Sequence, residues 1–210
     1  MALRHRTVCE SPEPAGAPEP DEEALIAACR AGNRSALSTV LGEHIAVLER
    51  VILKLIWDPT DAEDVLQQTL TTAVECFPRF RGDSAIQTWL IGIAIGISRN
   101  HARRQQRRSE RAAAPSSVSS EIATAASAEE TAHDRALLER LQQHLSKLSQ
   151  KQREVWVLHV LEGRNMDEIA IIVGTNRFTA KSRLRSARNE LRQRMNADPA
   201  LSARSRGGTA

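Results

Sequence analysis

Aromatic side chains are scarce in this chain. Tyrosine is absent, and three Phe and three Trp are the whole aromatic set of 210 residues. A β-sandwich or barrel is usually rich in aromatic and β-branched strand formers, and here apolar residues recur with helical spacing throughout. The expected class is therefore all-α. Cys9, Cys29 and Cys76 are isolated and odd in number. No pair has metal-ligand or redox spacing, so a reducing compartment is expected and neither a zinc site nor a thiol-redox centre is. The six His are as scattered. No apolar run approaches the ~20 residues a membrane span needs. The N-terminus lacks the apolar core of an export signal. A cytoplasmic protein without membrane insertion follows. Also missing are a nucleophile elbow, a phosphate-binding Gly loop, a metal triad and a Cys–His pairing. The sequence gives no catalytic residues, no metal ligands and no cofactor to expect.

What the chain does have is charge in blocks. Net charge is +3, but residues 95–112 hold six Arg against Glu110, and residues 174–206 hold nine Lys or Arg against Glu190 and Asp198. Residues 10–23 and 58–64 are acidic and carry no Lys or Arg. Two basic blocks fit two nucleic-acid footprints, and an acidic stretch fits a basic partner. Ordinary charge clustering is the plainer alternative.

Residues 1–20 hold Pro12, Pro14, Pro18 and Pro20 among Glu, Ala and Gly, the composition of a disordered leader. Helices are expected from Asp21 to about Ala31 and from about Ser35 to Trp57. Asp58-Pro59-Thr60 ends the second, because proline cannot continue the hydrogen-bond ladder. Asp61 is expected to open a third helix, with Val65, Leu66, Thr69, Leu70, Ala73, Val74 and Phe77 inward. A turn at 80–84 leads to a fourth helix, from about Ser84 to Arg108. Trp89, beside Leu90 and Ile93, fits a core position better than a base-stacking platform. Residues 111–132, rich in Ala and Ser, make a flexible linker. Helices resume near Glu129, with a second helical region expected over 133–196 and a tail from 197. The two regions are expected to be different bundles on a loose tether, bounded at 21–110 and 133–196.

Residues 167–188 read as a helix-turn-helix. Ile169, Ala170, Ile172 and Val173 point inward, Gly174 supplies the turn, and Asn176 caps the next helix. On that helix Leu184, Ala187, Leu191 and Met195 form an inward stripe. The opposite face holds Phe178, Ser182, Arg185, Ser186 and Asn189, with Lys181, Arg183, Arg188 and Arg192 at its flanks. Such a face suits a DNA major groove, its outer cations resting on phosphates; a solvated amphipathic helix is the plainer reading. Phe178 either meets a thymine methyl or folds back onto the preceding helix.

Five stretches carry a resemblance: DAEDVLQQTL at 61–70, FRGDSAIQTWL at 80–90, HARRQQRR at 101–108, LSKLSQKQREVWVLHVLEG at 145–163, and EIAIIVG with TAKSRLRSARNELR between 168 and 192. In this order and spacing the chain resembles a bacterial sigma factor of the small extracytoplasmic-function group of the sigma-70 family. The resemblance implies binding to core RNA polymerase through Asp61, Glu63, Asp64, Gln67 and Gln68. N-terminal helix capping explains Asp61 and Glu63 equally well, but not the Gln67-Gln68 pair. It also implies contact with the minus-ten promoter element through Arg81, Ser84, Arg99, Asn100, Arg103, Arg104, Arg107 and Arg108. The minus-thirty-five element falls to Arg177, Phe178, Thr179, Lys181, Ser182, Arg183, Arg185, Ser186 and Arg188. An anti-sigma factor is a common further partner in the family. The chain departs from the family pattern at Ile95-Gly96, where a basic residue and an asparagine are usual, at Asn100, where an aspartate is usual, and at Leu148-Ser149, where a leucine-proline is usual. Phe178 replaces a usual small residue, and Ser186 stands where a basic one is common. The Ile95-Gly96 change is expected to strip polar groups from a DNA-facing side. A stand-alone helix-turn-helix regulator using residues 135–195 is the competing function; it would need a dimer interface or a sensor domain, and residues 21–108 offer no obvious ligand cluster.

Overall fold

The computed structural model describes residues 20–112 and 139–198. Among these residues every regular element is helical, as expected. The expected leader and linker, the helix start near Glu129 and the tail beyond Asp198 lie outside the described residues.

The first region holds α1 (Pro20–Arg30), α2 (Arg34–Ile56), α3 (Pro59–Cys76), a 3₁₀ turn (Phe77–Arg79) and α4 (Ile86–Ala112). Asn33 starts α2 by accepting hydrogen bonds from the amides of Ser35 and Ala36, which have no partner inside the helix. Leu37, Val40, Leu41, Leu48, Val51, Ile52 and Leu55 then form its buried stripe. The cap of α3 is Asp58, not Asp61: its Oδ1 accepts from the amides of Thr60 at 2.9 Å and Asp61 at 3.0 Å. Pro59 occupies the first helical turn, where its missing N–H costs nothing. The proline expected to end one helix thus begins the next. Ala62, Val65, Thr69 and Ala73 are buried on α3, whereas Val74, expected inside, is exposed.

Phe77, Phe80 and Trp89 close the bottom of this bundle. Trp89 meets Phe77 edge-on at 5.5 Å and Phe80 at 4.9 Å between ring centroids. The Arg30 Nε donates to the Phe80 carbonyl at 2.6 Å and ties α1 to the loop. Trp89 is a core residue, with 5% of its surface exposed.

The second region holds α5 (139–146), α6 (Gln150–Trp156) running on into a π-helical turn (Val157–Leu161), α7 (Met166–Val173) and α8 (Arg177–Ala197). Ser149 caps α6 through a reciprocal box with Gln152, and Asn165 caps α7 through one with Glu168. Serine at 149 therefore keeps a helix start where the family pattern has proline. Gly174 takes the left-handed conformation, φ 66°, that turns the chain between α7 and α8, and Asn176 accepts from the Thr179 amide at 2.8 Å. Asp198, at the end of α8, receives Arg140 at 2.7 Å and His144 at 3.1 Å, which fastens α8 to α5.

Among the described residues the two regions touch. The middle of α4 packs on α7 as well as on α2 and α3, and α2 touches the π-helical turn.

Candidate nucleic-acid and polymerase interfaces

The helix-turn-helix is built as its sequence periodicity requires. Ala180, Leu184, Ala187 and Leu191 are buried on α8, and Met195, expected to extend that stripe, is partly exposed at the helix end. Lys181, Ser182, Arg185, Ser186 and Arg188 are exposed, while Thr179 and Arg183 are half-buried at the edge. Arg177 is exposed and pairs loosely with Asp167 at 3.3 Å. Phe178 points outward with 83% of its surface exposed, so it does not fold back onto α7. The outer face is thus a row of donors and cations with one aromatic ring at the N-terminal end of the helix.

The far end of α4 carries the second basic surface. Asn100, Arg104 and Arg108 form one row at i, i+4 spacing, and Arg103 and Arg107 an adjacent one; all five are exposed. Arg81, on the preceding loop, is exposed too. Two expected members of this group are not on it. Ser84 is buried, its hydroxyl among the buried polar atoms without a hydrogen-bond partner. Arg99 turns towards the second region. It donates to Glu154 through Nε at 2.9 Å and Nη2 at 2.6 Å, and to the Val173 carbonyl at 3.2 Å. Ile95 is also buried, against the expectation that it lies on a DNA-facing side.

On α3, Glu63, Asp64, Gln67 and Gln68 are exposed opposite the buried stripe. Gln67 donates to Glu63 at 3.4 Å. Asp61 is occupied within the bundle: it accepts from Gln105 at 2.9 Å and lies 3.4 Å from the His101 ring. That leaves four exposed groups on this face, two carboxylates and two amides, of which Gln67 and Glu63 are bonded to each other.

Glu154 and Glu162 escaped the sequence reading. Glu162 takes Lys54 at 2.5 Å and Arg50 at 3.0 Å across the two regions. Burial disfavours its charge, but hydrogen bonds and charge from Arg50 and Lys54 outweigh that and hold its carboxyl below the ordinary value. The available signal was a pair of carboxylates bracketing the stretch from Val155 to Leu161, apolar but for His159. Among the described residues no group of His, Cys, Asp and Glu is arranged to hold a metal, and no helix is long and apolar enough to cross a membrane.

The two surfaces coincide with two matched family models. Residues 41–108 match sigma-70 region 2, and residues 138–191 match sigma-70 region 4. The chain belongs to the sigma-70 family. Its relatives include sigma factors of the extracytoplasmic-function group. RNA polymerase sigma factor CnrH of Cupriavidus metallidurans is 26% identical over 86% of this chain and 97% of its own length. RNA polymerase sigma-H factor of Pseudomonas aeruginosa is 26% identical over 81% and 91%. The ECF RNA polymerase sigma-E factor of Escherichia coli is 23% identical over 81% and 92%. The fold agrees with CnrH in complex with the cytosolic domain of CnrY (TM-score 0.61, 24% identity, 83% of this chain and 97% of that one). It agrees equally with RpoE in complex with the anti-sigma factor NepR from Bartonella quintana (TM-score 0.62, 26% identity, 77% and 97%). In region terms, the acidic-amide face and the basic end of α4 lie within region 2, and the outer face of α8 within region 4.

Proposed function

We propose that this sigma factor binds core RNA polymerase, carries it to promoters of a particular sequence, and does no chemistry of its own. The observation that carries the reading is the joining, in one chain, of an exposed acidic-amide helix face to two basic surfaces on different helices. A stand-alone regulator has no use for the first of these. Glu63, Asp64, Gln67 and Gln68 make the polymerase contact, with Asp61 as the end of that face nearest α4. Arg81, Asn100, Arg103, Arg104, Arg107 and Arg108 meet the minus-ten element. A row of cations suits an opened strand, whose backbone is negative and whose bases carry no fixed partner. Arg185, Ser182, Ser186 and Phe178 read the minus-thirty-five element in the major groove. Arg177, Lys181, Arg183 and Arg188 rest on phosphates, and Thr179 lies at the edge of that contact. Phosphate contacts position the helix, and base contacts specify the sequence.

The chain acts in the cytoplasm, where polymerase and promoter are, without a cofactor. The complex of RpoE with NepR, at 26% identity, supports an anti-sigma factor as a further partner. A pull-down of purified core polymerase on the full chain tests the reading. Retention of core by the chain, lost on charge reversal at Asp64, is the expected result. Binding of duplex DNA without any binding of core makes the protein a stand-alone regulator instead.

A further inference from the structure

From the outer face of α8, we infer that Phe178 reads one chemical feature of DNA, the C5 methyl group of a pyrimidine in the major groove. Its ligand is then a thymine or a 5-methylcytosine. Methylation of a cytosine in the minus-thirty-five element therefore creates a contact that the unmodified base lacks. The inference rests on the assignment of this face to that element, made above.

The ring is held out from the protein. Phe178 has 83% of its surface exposed, whereas Val74, the next most exposed large apolar side chain among the described residues, has 46%. The backbone is fixed on both sides of it. Asn176 Oδ1 accepts from the Thr179 amide at 2.8 Å, and the Asn176 carbonyl accepts from the Ala180 amide at 3.0 Å. Ala180 itself is fully buried. Arg177 pairs with Asp167 of α7 at 3.3 Å, so that cation is drawn back rather than laid over the ring. Only the two χ angles of the side chain are left to vary, and an aromatic group so constrained loses little freedom on binding.

Helix geometry sets the ring in line with the other base-reading groups. Around α8, Ser182 lies about 40° from Phe178 and Arg185 about 20° from it, and Arg185 is about 10.5 Å further along the axis. All three are exposed. That axial distance corresponds to about three base steps of about 3.4 Å. Recognition helices reach base edges with their N-terminal residues. Phe178 therefore meets a base about three pairs from the one met by Arg185.

The chemistry of the ring then decides what it can recognise. Thymine presents the O4 acceptor and a C5 methyl in the major groove; 5-methylcytosine presents the N4 donor and the same methyl. A phenyl ring has no conventional donor or acceptor, so it does not separate O4 from N4, but it gains apolar contact from either methyl. The Ser182 hydroxyl, one turn further on, both donates and accepts, and so excludes neither base. Uracil and unmodified cytosine offer only a C5 hydrogen at that place. Burying one methyl-sized group corresponds to a gain in affinity of about 4-fold.

The test selects duplexes from a randomised pool with the full chain, alone and together with core polymerase. The pool is made in three forms: ordinary, with uracil in place of thymine, and with 5-methylcytosine in place of cytosine. In the ordinary pool one position should favour thymine over cytosine by about 4-fold. That preference should vanish in the uracil pool, and thymine and 5-methylcytosine should be enriched alike in the third. Phe178→Ala should abolish all three effects, and the position should lie about three base pairs from the one that Arg185→Ala flattens. Equal pyrimidine preferences in the ordinary and uracil pools, with the Arg185 position present, overturn methyl reading and leave the assignment of α8 to the element standing. A methyl dependence that survives Phe178→Ala belongs to another side chain and overturns the role of Phe178. If no sequence is enriched from any pool, the assignment of α8 falls and the inference with it. A Phe178-dependent methyl effect in a chain that binds no core upholds the inference and removes the sigma-factor function.

Discussion

Replacing Trp89 by alanine removes the ring on which Phe77 and Phe80 converge, at 5.5 and 4.9 Å. A tryptophan buries about 150–250 Å², and at about 25 cal/mol per Å² its transfer to water alone costs about 4–6 kcal/mol. Measured Trp→Ala changes in cores run about 3–5 kcal/mol, because the site partly collapses. Small domains are stable by only about 5–15 kcal/mol. At about 4–8 °C per kcal/mol for a domain of this size, the thermal midpoint of the first helical region should fall by at least 12 °C or so. Trp89→Phe keeps most of the apolar contact and should lose about a third as much. Thermal and urea unfolding followed by circular dichroism measures both. A Trp89→Ala midpoint within about 3 °C of the parent, with promoter opening lost, would refute the core assignment and make this ring a base platform.

Four further outcomes follow from the same geometry. Phe178→Ala should cost affinity for promoters with thymine in the minus-thirty-five element and nothing once uracil replaces that thymine; an equal loss on both removes the methyl contact. Arg185→Ala should flatten preference at one base position, worth about 1–3 kcal/mol, whereas Lys181→Ala should weaken all sequences alike and reduce the salt slope; a uniform loss with Arg185→Ala denies it base readout. Asp64→Arg with Gln67→Ala should weaken core polymerase binding by about 2–5 kcal/mol with the helical spectrum intact, as titration against core will show. Glu162 titrates below its ordinary value of 4.5 in the folded chain, so its contribution is fully present above that pH and is lost as pH falls through the lowered value. The thermal midpoint should therefore fall in acid for the parent but change less for Glu162→Gln, and identical acid profiles would count against the Arg50–Glu162–Lys54 cluster.

Much of the fold was legible because helices announce themselves one at a time. The stripe from Leu37 to Leu55, the turn at Gly174 and the cap at Asn176 all follow from local chemistry, and the structure has them where the sequence put them. The outer face of α8 was legible for the same reason. Asp58 was misjudged because a proline both ends and begins helices, and only the hydrogen bonds decide which. The positions of Arg99, Ser84 and Ile95 were not legible at all. Each depends on what a neighbouring element covers, and periodicity within one helix carries no information about that. Glu154 shows the point most clearly: a charge beside Val155 and Trp156 reads as a surface residue until its guanidinium partner, 55 positions earlier in the chain, is known.

Run-off transcription with purified core polymerase, the full chain and a fragment library of genomic promoters tests the central claim most directly. The account predicts discrete transcripts that require the chain, share two sequence elements, and disappear with the Asp64→Arg, Gln67→Ala double variant. Transcripts that appear equally without the chain, or only in the presence of another sigma factor, would contradict it.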